Sequence, residues 1–324
     1  MIFSAQESSE DFFHDVLELF YFQVRRNSLY KKYIELLGID PLSIKHPDKI
    51  PFLPISFFKT HKVYSADQTA EKIFYSSGTA GLHRSKHYVA DLSLYEKSFM
   101  QGFRYFYGDP RNYCFFALLP SYLEQQDSSL VYMMDRLIKN SQFPQSDFFL
   151  YNYDELVKQL KENESQKIPT ILFGVSFALL ELAETYKLKL HHTTVMETGG
   201  MKGRRKELTR EALHNILKER FGVSAIHSEY GMSELLSQAY AKREGQFMAP
   251  PWLKVFIRDI YDPFDFLPEG RSGGINIFDP ANKYSVSFIE TEDIGKKNAN
   301  NTFEVLGRID YSDIRGCNLL VAGE

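Results

Sequence analysis

Seven residues in the first third of the chain combine glycines with hydroxyl side chains: the segment Tyr75 to Gly81 reads Tyr-Ser-Ser-Gly-Thr-Ala-Gly. Glycines let backbone N–H groups approach an anion, and the hydroxyls of Ser76, Ser77 and Thr79 add hydrogen-bond donors. The segment lacks the Gly-Lys-Ser/Thr ending of a Walker A loop. Its residue types favour a loop that wraps phosphate oxygens, with an ordinary turn as the alternative.

Four further short motifs follow this loop in order. They are Thr198-Gly199-Gly200, Tyr230-Gly231-Met232-Ser233-Glu234, Thr291-Glu292-Asp293-Ile294-Gly295 and Gly307-Arg308-Ile309-Asp310. A carboxylate such as Asp293 can accept hydrogen bonds from two hydroxyl groups, and one such as Glu234 can bind a hard cation. Taken singly, each carboxylate is more typical of a solvated surface charge. The five motifs follow one another in this order over about 235 residues.

This succession resembles the adenylate-forming superfamily of acyl-CoA ligases and adenylation domains, whose first loop reads close to YTSGTTG. The resemblance implies ATP and Mg²⁺ as cofactors, with Asp293 on the ribose hydroxyls, Arg308 nearby and Glu234 on the metal. The same resemblance assigns phosphate contacts to Ser76, Ser77, Gly78, Thr79, Gly81 and Ser233, and places Gly199, Gly200, Tyr230 and Gly231 around the adenine end of the nucleotide.

Two departures from the superfamily pattern alter this expectation. The superfamily usually continues after the hinge motif into a small domain that supplies a lysine for adenylation, whereas 14 residues follow Asp310 here. We therefore expect that domain to be absent and carry over no lysine from it. Leu82 to Ser85 also replaces the usual Pro-Lys-Gly, which makes Arg84 or Lys86 the candidate for neutralising pyrophosphate.

The end of the chain, from Gly307 to an Arg-Gly-Cys that finishes at Cys317, resembles the LuxE-type acyl-protein synthetases. These are the fatty-acid-activating components of bacterial bioluminescence reductase systems and their wider relatives. The resemblance extends to Pro54–Lys59 and Leu118–Tyr122. It implies that Cys317 takes the acyl group from the adenylate and passes it to a partner such as a reductase or a carrier protein.

The two cysteines of the chain have different surroundings. Cys114 lies in an apolar run and fits inert packing. Cys317 lies beside Arg315, whose charge can increase the thiolate fraction. An extended segment from Tyr311 to Cys317 reaches roughly 23 Å, enough to approach an adenylate pocket.

Three functions from different classes follow. The first is an acyl-protein synthetase that adenylates a carboxylic, and by the resemblance a fatty, acid and then carries it as a thioester on Cys317. The second is a small acyl-CoA ligase that releases its product to coenzyme A, and Cys317 separates these two. The third is a non-catalytic nucleotide- or acyl-binding subunit. The presence of both Asp293 and Glu234 argues against it.

The elements that must position these motifs alternate between helical and strand patterns. Phe12, Phe13, Val16, Leu17, Phe20 and Val24 recur at helical spacing, and we expect this whole stripe to face the core. Further helices are predicted at Asp91–Tyr107, near Ser128–Lys139 and at Arg204–Arg220, with strands at Tyr113–Leu119 and, later, Gly274–Phe278, Tyr284–Ile289 and Thr302–Leu306. This alternation predicts an α/β fold with a mostly parallel sheet and a β-rich carboxyl-terminal subdomain. The predicted divisions are residues 1–235, 236–310 and 311–324.

Composition limits the remaining classes. Lys and Arg number 38 against 42 Asp and Glu, a net charge of −4, which gives no electrostatic footprint for nucleic acid or an anionic membrane. The amino terminus has no basic or apolar signal region, and two cysteines provide no disulfide framework, so a cytoplasmic location is expected. The spacing of His83 and His87 among basic neighbours favours a basic face over a metal site.

Overall fold

The computed structural model describes residues 9–76, 84–120, 127–199 and 208–309. Its helices are α1 Ser9–Arg26, α2 Ser28–Leu36, α3 Phe57–Thr60, α4 Leu92–Tyr107, α5 Ser129–Asn140, α6 Tyr153–Ser165, α7 Ser176–Thr185 and α8 Arg210–Phe221. Its strands are β1 Leu53–Pro54, β2 Lys72–Tyr75, β3 Lys86–Val89, β4 Cys114–Leu118, β5 Asp147–Phe149, β6 Thr170–Val175, β7 Thr193–Thr198, β8 His227–Tyr230, β9 Ala239–Ala241, β10 Phe247–Met248, β11 Lys254–Arg258, β12 Ser272–Phe278, β13 Phe288–Lys297 and β14 Phe303–Arg308.

Within the described ranges, twelve strands form one sheet in the order β11-β12-β13-β14-β10-β9-β8-β7-β6-β4-β5, with β1 paired to β13. Within this order, neighbouring strands in the part β8-β7-β6-β4-β5 pair in parallel. Neighbouring strands in the part β11-β12-β13-β14-β10-β9-β8 pair antiparallel. Strands β2 and β3 form a separate antiparallel hairpin. The predicted α/β class, with a largely parallel part and a β-rich part towards the carboxyl end, is confirmed.

The parallel half of the sheet is buried on both faces. Strands β4 and β6 are buried at every residue, as expected for parallel strands covered by helices on each side. Helix α4 contributes Tyr95, Phe99, Phe103 and Phe106 to this core, a spacing of three and four residues that gives one apolar face. Because these strands run parallel, their carboxyl ends lie at one edge of the sheet, where ligands bind in folds of this kind.

The antiparallel half has its own core, which helices α1 and α2 cover. Phe20 lies fully buried and its ring packs edge-on against Phe288, with centroids 6.1 Å apart. Gln23 donates from Nε2 to Oγ of Ser287 at 3.0 Å and accepts from the Ser287 backbone N–H. The expectation that Phe13 also faces the core was wrong, because 48% of it is exposed at the margin of the stripe.

The ends of several elements agree with their sequence patterns. Helix α8 is capped by Thr209, whose hydroxyl accepts from the N–H of Ala212. It ends at Gly222, which adopts φ +66° and donates to the carbonyl of Lys218. The strand expected at Tyr284–Ile289 begins only at Phe288. None of the helices among the described residues is long and apolar enough to cross a membrane.

Candidate active site

The hairpin of β2 and β3 holds the two ends of the predicted phosphate loop together. The N–H of Ser76 donates to the carbonyl of Ser85 at 3.1 Å, and the N–H of Ser85 donates to Oγ of Ser76 at 2.9 Å. The Arg84 side chain donates to the backbone carbonyls of Ser76 and Tyr75. The two ends of the loop are therefore held together at its base. Four of the predicted phosphate contacts lie outside the described residues: Ser77, Gly78, Thr79 and Gly81.

The turn after β8 lies against this base. Oγ of Ser233 donates to the carbonyl of Tyr75 at 3.4 Å. Nδ1 of His87 donates to the carbonyl of Ser233 at 2.9 Å, and Nε2 lies 2.9 Å from Oγ of Ser285. The carbonyl of Ser233 can only accept, so Nδ1 carries a proton. Burial lowers the pKa of His87 to about 4, which favours the neutral imidazole. The sequence reading of His87 as part of a basic face was therefore wrong.

Glu234 ends this turn with a buried carboxylate. Burial raises its pKa, while a hydrogen bond from Ser85 and the positive charges of Lys59 and Arg308 act in the opposite direction. Among the described residues, no lysine or arginine forms an ion pair with it. A desolvated carboxylate without a paired cation fits a hard metal ion, and Mg²⁺ prefers oxygen ligands of this kind. The chemistry of the residues present is thus compatible with the implied metal.

A second buried acid, Asp279, fixes the backbone that follows Glu234. Its carboxylate accepts from the N–H groups of Leu236 and Ser237 at 3.0 and 2.8 Å and from the hydroxyl of Ser237 at 2.6 Å. Nδ2 of Asn282 donates to the carbonyl of Glu234 at 2.7 Å. These groups make the turn rigid. Sequence reasoning missed them, although an aspartate directly after an apolar strand and before Pro280 was a usable signal.

Asp293 lies on β13 opposite Arg308 on β14. Oδ2 of Asp293 accepts a 2.7 Å hydrogen bond from the hydroxyl of Tyr230, and Oδ1 is 3.4 Å from Nε of Arg308. The Asp293 side chain is 12% exposed, against 80% for Arg308. Tyr230 therefore binds the Asp293 carboxylate on its buried side. The long, exposed side chain of Arg308 covers its other side.

The ring of Tyr230 packs against two phenylalanines from neighbouring strands. Its centroid is 5.8 Å from those of Phe247 and Phe303. Burial, together with the nearby Asp293 carboxylate, raises the pKa of Tyr230 well above its ordinary value. The phenol stays protonated and acts as a donor to Asp293. Its predicted contact with adenine stays a prediction.

Gly199 directly follows β7, beside the start of the turn at Tyr230. It adopts φ +69°, a conformation that favours glycine, and its carbonyl accepts a 2.8 Å hydrogen bond from Oγ of Ser176. Gly200 lies outside the described residues. Because Thr198 and Glu229 are paired neighbours on β7 and β8, Gly199 lies at the same edge of the sheet as Tyr230.

Two buried acids lie just inside this edge, and sequence reasoning singled out neither. Glu197 accepts from Oγ of Ser176 at 2.9 Å and pairs with Nε of Arg210 at 3.4 Å. Glu229 accepts a hydrogen bond from the hydroxyl of Thr198. Burial, with a smaller effect of the Glu197 charge, raises the pKa of Glu229 to about 7.

Gly231 leaves the space that Glu229 occupies. A Cβ atom at Gly231 would lie 2.4 Å from Oε1 of Glu229, closer than real contacts allow. The absence of a side chain at position 231 is therefore a packing requirement as well as part of the motif. The missing side chain at Gly231 and the raised pKa of Glu229 together place a carboxyl group that can carry a proton next to the turn after Tyr230.

Cys114 and His227 occupy different settings. Cys114 is buried in β4, where Oγ of Ser146 donates to its sulfur at 3.6 Å, and burial raises the pKa of the thiol. This agrees with the expectation of inert packing. His227 starts β8, away from its carboxyl end, and its Nδ1 is 3.0 Å from the hydroxyl of Tyr107. Cys317 lies outside the described residues.

Six predicted site residues thus converge on one region at the edge of the sheet: Ser76, Tyr230, Ser233, Glu234, Asp293 and Arg308. The family profile described as "Acyl-protein synthetase, LuxE" matches residues 1–323, almost the whole chain. The chain belongs to the LuxE acyl-protein synthetase family. The resemblance drawn from the LuxE-like carboxyl-terminal motif is confirmed at this level. A search of curated protein sequences found no significant match.

Solved structures similar to this LuxE family member are adenylate-forming enzymes. Those of 2-hydroxyisobutyryl-CoA ligase include a complex with 2-HIB-AMP and CoA, with a TM-score of 0.68, 12% identity, and coverage of 91% of this chain and 68% of the other. ATP-bound MatB from Rhodopseudomonas palustris gives 0.56, 18% identity, and coverage of 75% and 50%. MenE from Bacillus subtilis in complex with ATP and magnesium gives a TM-score of 0.52 and 14% identity, with coverage of 74% of this chain and 51% of the other. The chain spans about half the length of MatB and MenE, and the similarity establishes a shared fold.

Proposed function

We propose that this protein activates a carboxylic acid with ATP and Mg²⁺, forms an acyl adenylate, and then transfers the acyl group to Cys317 as a thioester. The family resemblance implies a fatty acid. A protein partner such as a reductase or carrier then accepts the acyl group. The division into residues 1–235, 236–310 and a tail at 311–324 remains part of this proposal.

The observation that carries the proposal is the position of Ser85. Its N–H donates to Oγ of Ser76, and its side chain lies near enough to the buried Glu234 carboxylate to oppose the rise in pKa that burial causes. Ser85 therefore joins the base of the phosphate loop to the proposed metal ligand. Phosphate oxygens held by the loop would lie beside the metal, which is the arrangement that in-line displacement at phosphorus requires.

The other end of the nucleotide is assigned to Asp293. Tyr230 orients its carboxylate from the buried side, Arg308 covers it from the exposed side, and the carboxylate can accept hydrogen bonds from the two ribose hydroxyls. Gly199 and Tyr230 would then flank the adenine. Bound Mg²⁺ would supply charge neutralisation on the phosphates, with Glu234 as its protein ligand.

The proposed reaction has two steps. A carboxylate oxygen attacks the α-phosphorus, and the bond to pyrophosphate breaks with its electron pair leaving on pyrophosphate. The Cys317 thiolate then attacks the acyl carbon, and AMP leaves with the electrons of the broken C–O bond. The first step needs no thiol, so the two steps can be measured separately.

The decisive experiment measures ATP–pyrophosphate exchange with a panel of carboxylic acids, followed by intact mass with and without hydroxylamine. Acid-dependent exchange together with a hydroxylamine-sensitive mass increase supports the proposal. Acid-dependent exchange with coenzyme A as the preferred acyl acceptor would favour an acyl-CoA ligase over the proposed acyl-protein synthetase. Nucleotide binding without exchange would leave a binding subunit.

A further inference from the structure

Lys59 comes from the first fifth of the chain and lies at the nucleotide site. Its Nζ is 3.5 Å from Oε2 of Glu292, the residue directly before Asp293. Its positive charge also acts on Glu234. The side chain is 42% exposed, so its ammonium group can reach a ligand in the site as well as Glu292.

Strand pairing places Lys59 next to the Asp293 strand. β1 runs parallel to the start of β13, and the N–H of Ile55 donates to the carbonyl of Glu290 at 2.8 Å. Further along the same edge, the N–H of Ile309 donates to the carbonyl of Glu292 at 2.7 Å. The segment after β1 therefore meets the end of β14, and Lys59 and Arg308 both lie beside the pair Glu292 and Asp293.

A second contact ties Lys59 to the metal-binding turn. The preceding residue, Phe58, is fully buried, and its ring packs edge-on against the imidazole of His87 at 5.5 Å. His87 in turn binds the carbonyl of Ser233, next to Glu234. Two independent anchors, one on β13 and one on His87, thus hold Lys59 between the proposed ribose and metal ligands.

The ion pair with Glu292 gives Lys59 little role in stabilising the fold. Glu292 is 26% exposed and Lys59 is 42% exposed, and ion pairs with this much solvent contribute little to stability. An ammonium group on a flexible stem can leave such a partner for a phosphate at small cost. The location favours a ligand-directed role.

We propose that Lys59 is a catalytic residue of adenylation, whose ammonium group contacts the α-phosphate of ATP while the substrate carboxylate attacks it. This rests on the function proposed above. The carboxylate oxygen forms a bond to the α-phosphorus, the bond to the pyrophosphate oxygen breaks, and pyrophosphate leaves with the electron pair. Lys59 keeps its proton and neutralises the negative charge that collects on the α-phosphate oxygens.

The test compares Lys59→Gln with Lys62→Gln, a matched loss of charge three residues away. Nζ of Lys62 lies over the rings of Tyr64 and Tyr88, at 4.8 and 5.3 Å. We expect Lys59→Gln to lower kcat of exchange about ten- to a hundredfold, as expected for loss of a charged hydrogen bond, and Lys62→Gln to stay close to wild type. Lys59→Arg should recover most of the activity, because it keeps the charge.

Glu292→Gln separates a ligand contact from the observed ion pair. It removes the partner of Lys59 and keeps the ammonium group, so exchange should remain close to wild type. Equal losses in Glu292→Gln and Lys59→Gln would overturn the proposal, as would wild-type exchange in Lys59→Gln. If wild type itself shows no acid-dependent exchange, the proposed function fails instead.

A measurement on the unmodified protein covers the case in which Lys59→Gln does not fold. Reductive methylation with isotopically labelled formaldehyde, read by peptide mass spectrometry, reports the exposure of each lysine. Addition of MgATP should protect Lys59 at least several-fold and leave Lys62 unchanged. Equal labelling of Lys59 with and without MgATP would refute the contact.

Discussion

The hydroxyl of Tyr230 donates a 2.7 Å hydrogen bond to Oδ2 of Asp293, while Nε of Arg308 lies 3.4 Å from Oδ1 of the same carboxylate. The two partners differ in exposure, since Tyr230 is packed between Phe247 and Phe303 and Arg308 is 80% exposed. A ribose that binds Asp293 would therefore displace Arg308 and leave the bond from Tyr230 in place. Tyr230 orients the carboxylate, and Arg308 covers it.

Asp293→Ala should lower acid-dependent ATP–pyrophosphate exchange about ten- to a hundredfold, because a charged acceptor of hydrogen bonds is lost. Tyr230→Phe keeps the ring and removes only the donor, so a smaller loss of about two- to tenfold is expected. Steady-state exchange at varied ATP measures both, with circular dichroism as the check on folding. Exchange close to wild type in folded Asp293→Ala would contradict the ribose assignment.

Glu234→Gln should increase the Mg²⁺ concentration needed for half-maximal exchange at least about tenfold, since a neutral amide is a weaker ligand for a hard cation. EDTA should abolish exchange in wild type. Glu211→Gln, a change at an exposed residue of α8, serves as the control for loss of one negative charge. An unchanged Mg²⁺ titration in Glu234→Gln would exclude a direct metal contact.

Glu229→Gln should stabilise the protein more at pH 8 than at pH 5. Burial raises the pKa of Glu229 from 4.5 to about 7, so the folded state holds a proton that the unfolded state releases between these values. Stability supplied by the neutral form is complete below about pH 4.5 and is lost as the pH rises to about 7. This corresponds to about 3 kcal/mol at most.

The measurement is the difference in free energy of unfolding between Glu229→Gln and wild type, taken by urea titration across this pH range. His87 and His227 have pKa values lowered to about 4, so their protonation in acid favours the unfolded state, opposite to the effect of Glu229. Because both proteins contain these histidines, their contribution cancels when the wild-type value is subtracted. The amide oxygen can still accept from Thr198. A difference independent of pH would show that Glu229 does not titrate in this range.

Cys317→Ser should retain pyrophosphate exchange and lose the hydroxylamine-sensitive mass increase, because adenylation needs no thiol. Cys114→Ser should keep both reactions and cost roughly 1–3 kcal/mol of stability, since a hydroxyl replaces a buried thiol. Intact-mass spectrometry after incubation with ATP and the acid distinguishes the two. A labile acyl group on Cys317→Ser would eliminate Cys317 as the acceptor.

Local patterns predicted the fold where local forces decide it. The helical spacing from Asp91 to Tyr107 corresponds to α4 at Leu92–Tyr107, and Gly222 ends α8 as its conformational freedom requires. The predicted strand Tyr284–Ile289 was wrong for its first four residues, because β13 begins at Phe288. There Asn27 and Gln23 from the other end of the chain hydrogen-bond to Ser285 and Ser287, and no local pattern can report that contact.

The candidate site shows the same division. Tyr230 and Asp293 could be selected from the sequence because their motifs are contiguous, and the structure joins them by a direct bond. His87 and Lys59 act through partners 146 and more than 230 residues away, so neither spacing nor residue type indicated their positions. Asp279, by contrast, offered a usable local signal in its place before Pro280, but that signal did not identify the turn about 40 residues away that its carboxylate binds.

The hydrogen bond between Gln23 and Ser287 joins residues 264 positions apart, and the pairing of β1 with β13 closes a span of similar length. At about 5–20 residues per second, a ribosome needs roughly 15 to 50 seconds to make the strands that cover α1. During that time the apolar face of α1, with Phe20 at its centre, can pack on Tyr30 of α2 but not yet on Phe288 of β13. The amino-terminal helices therefore complete their core only after most of the chain has been made, and slow translation of the second half prolongs that interval.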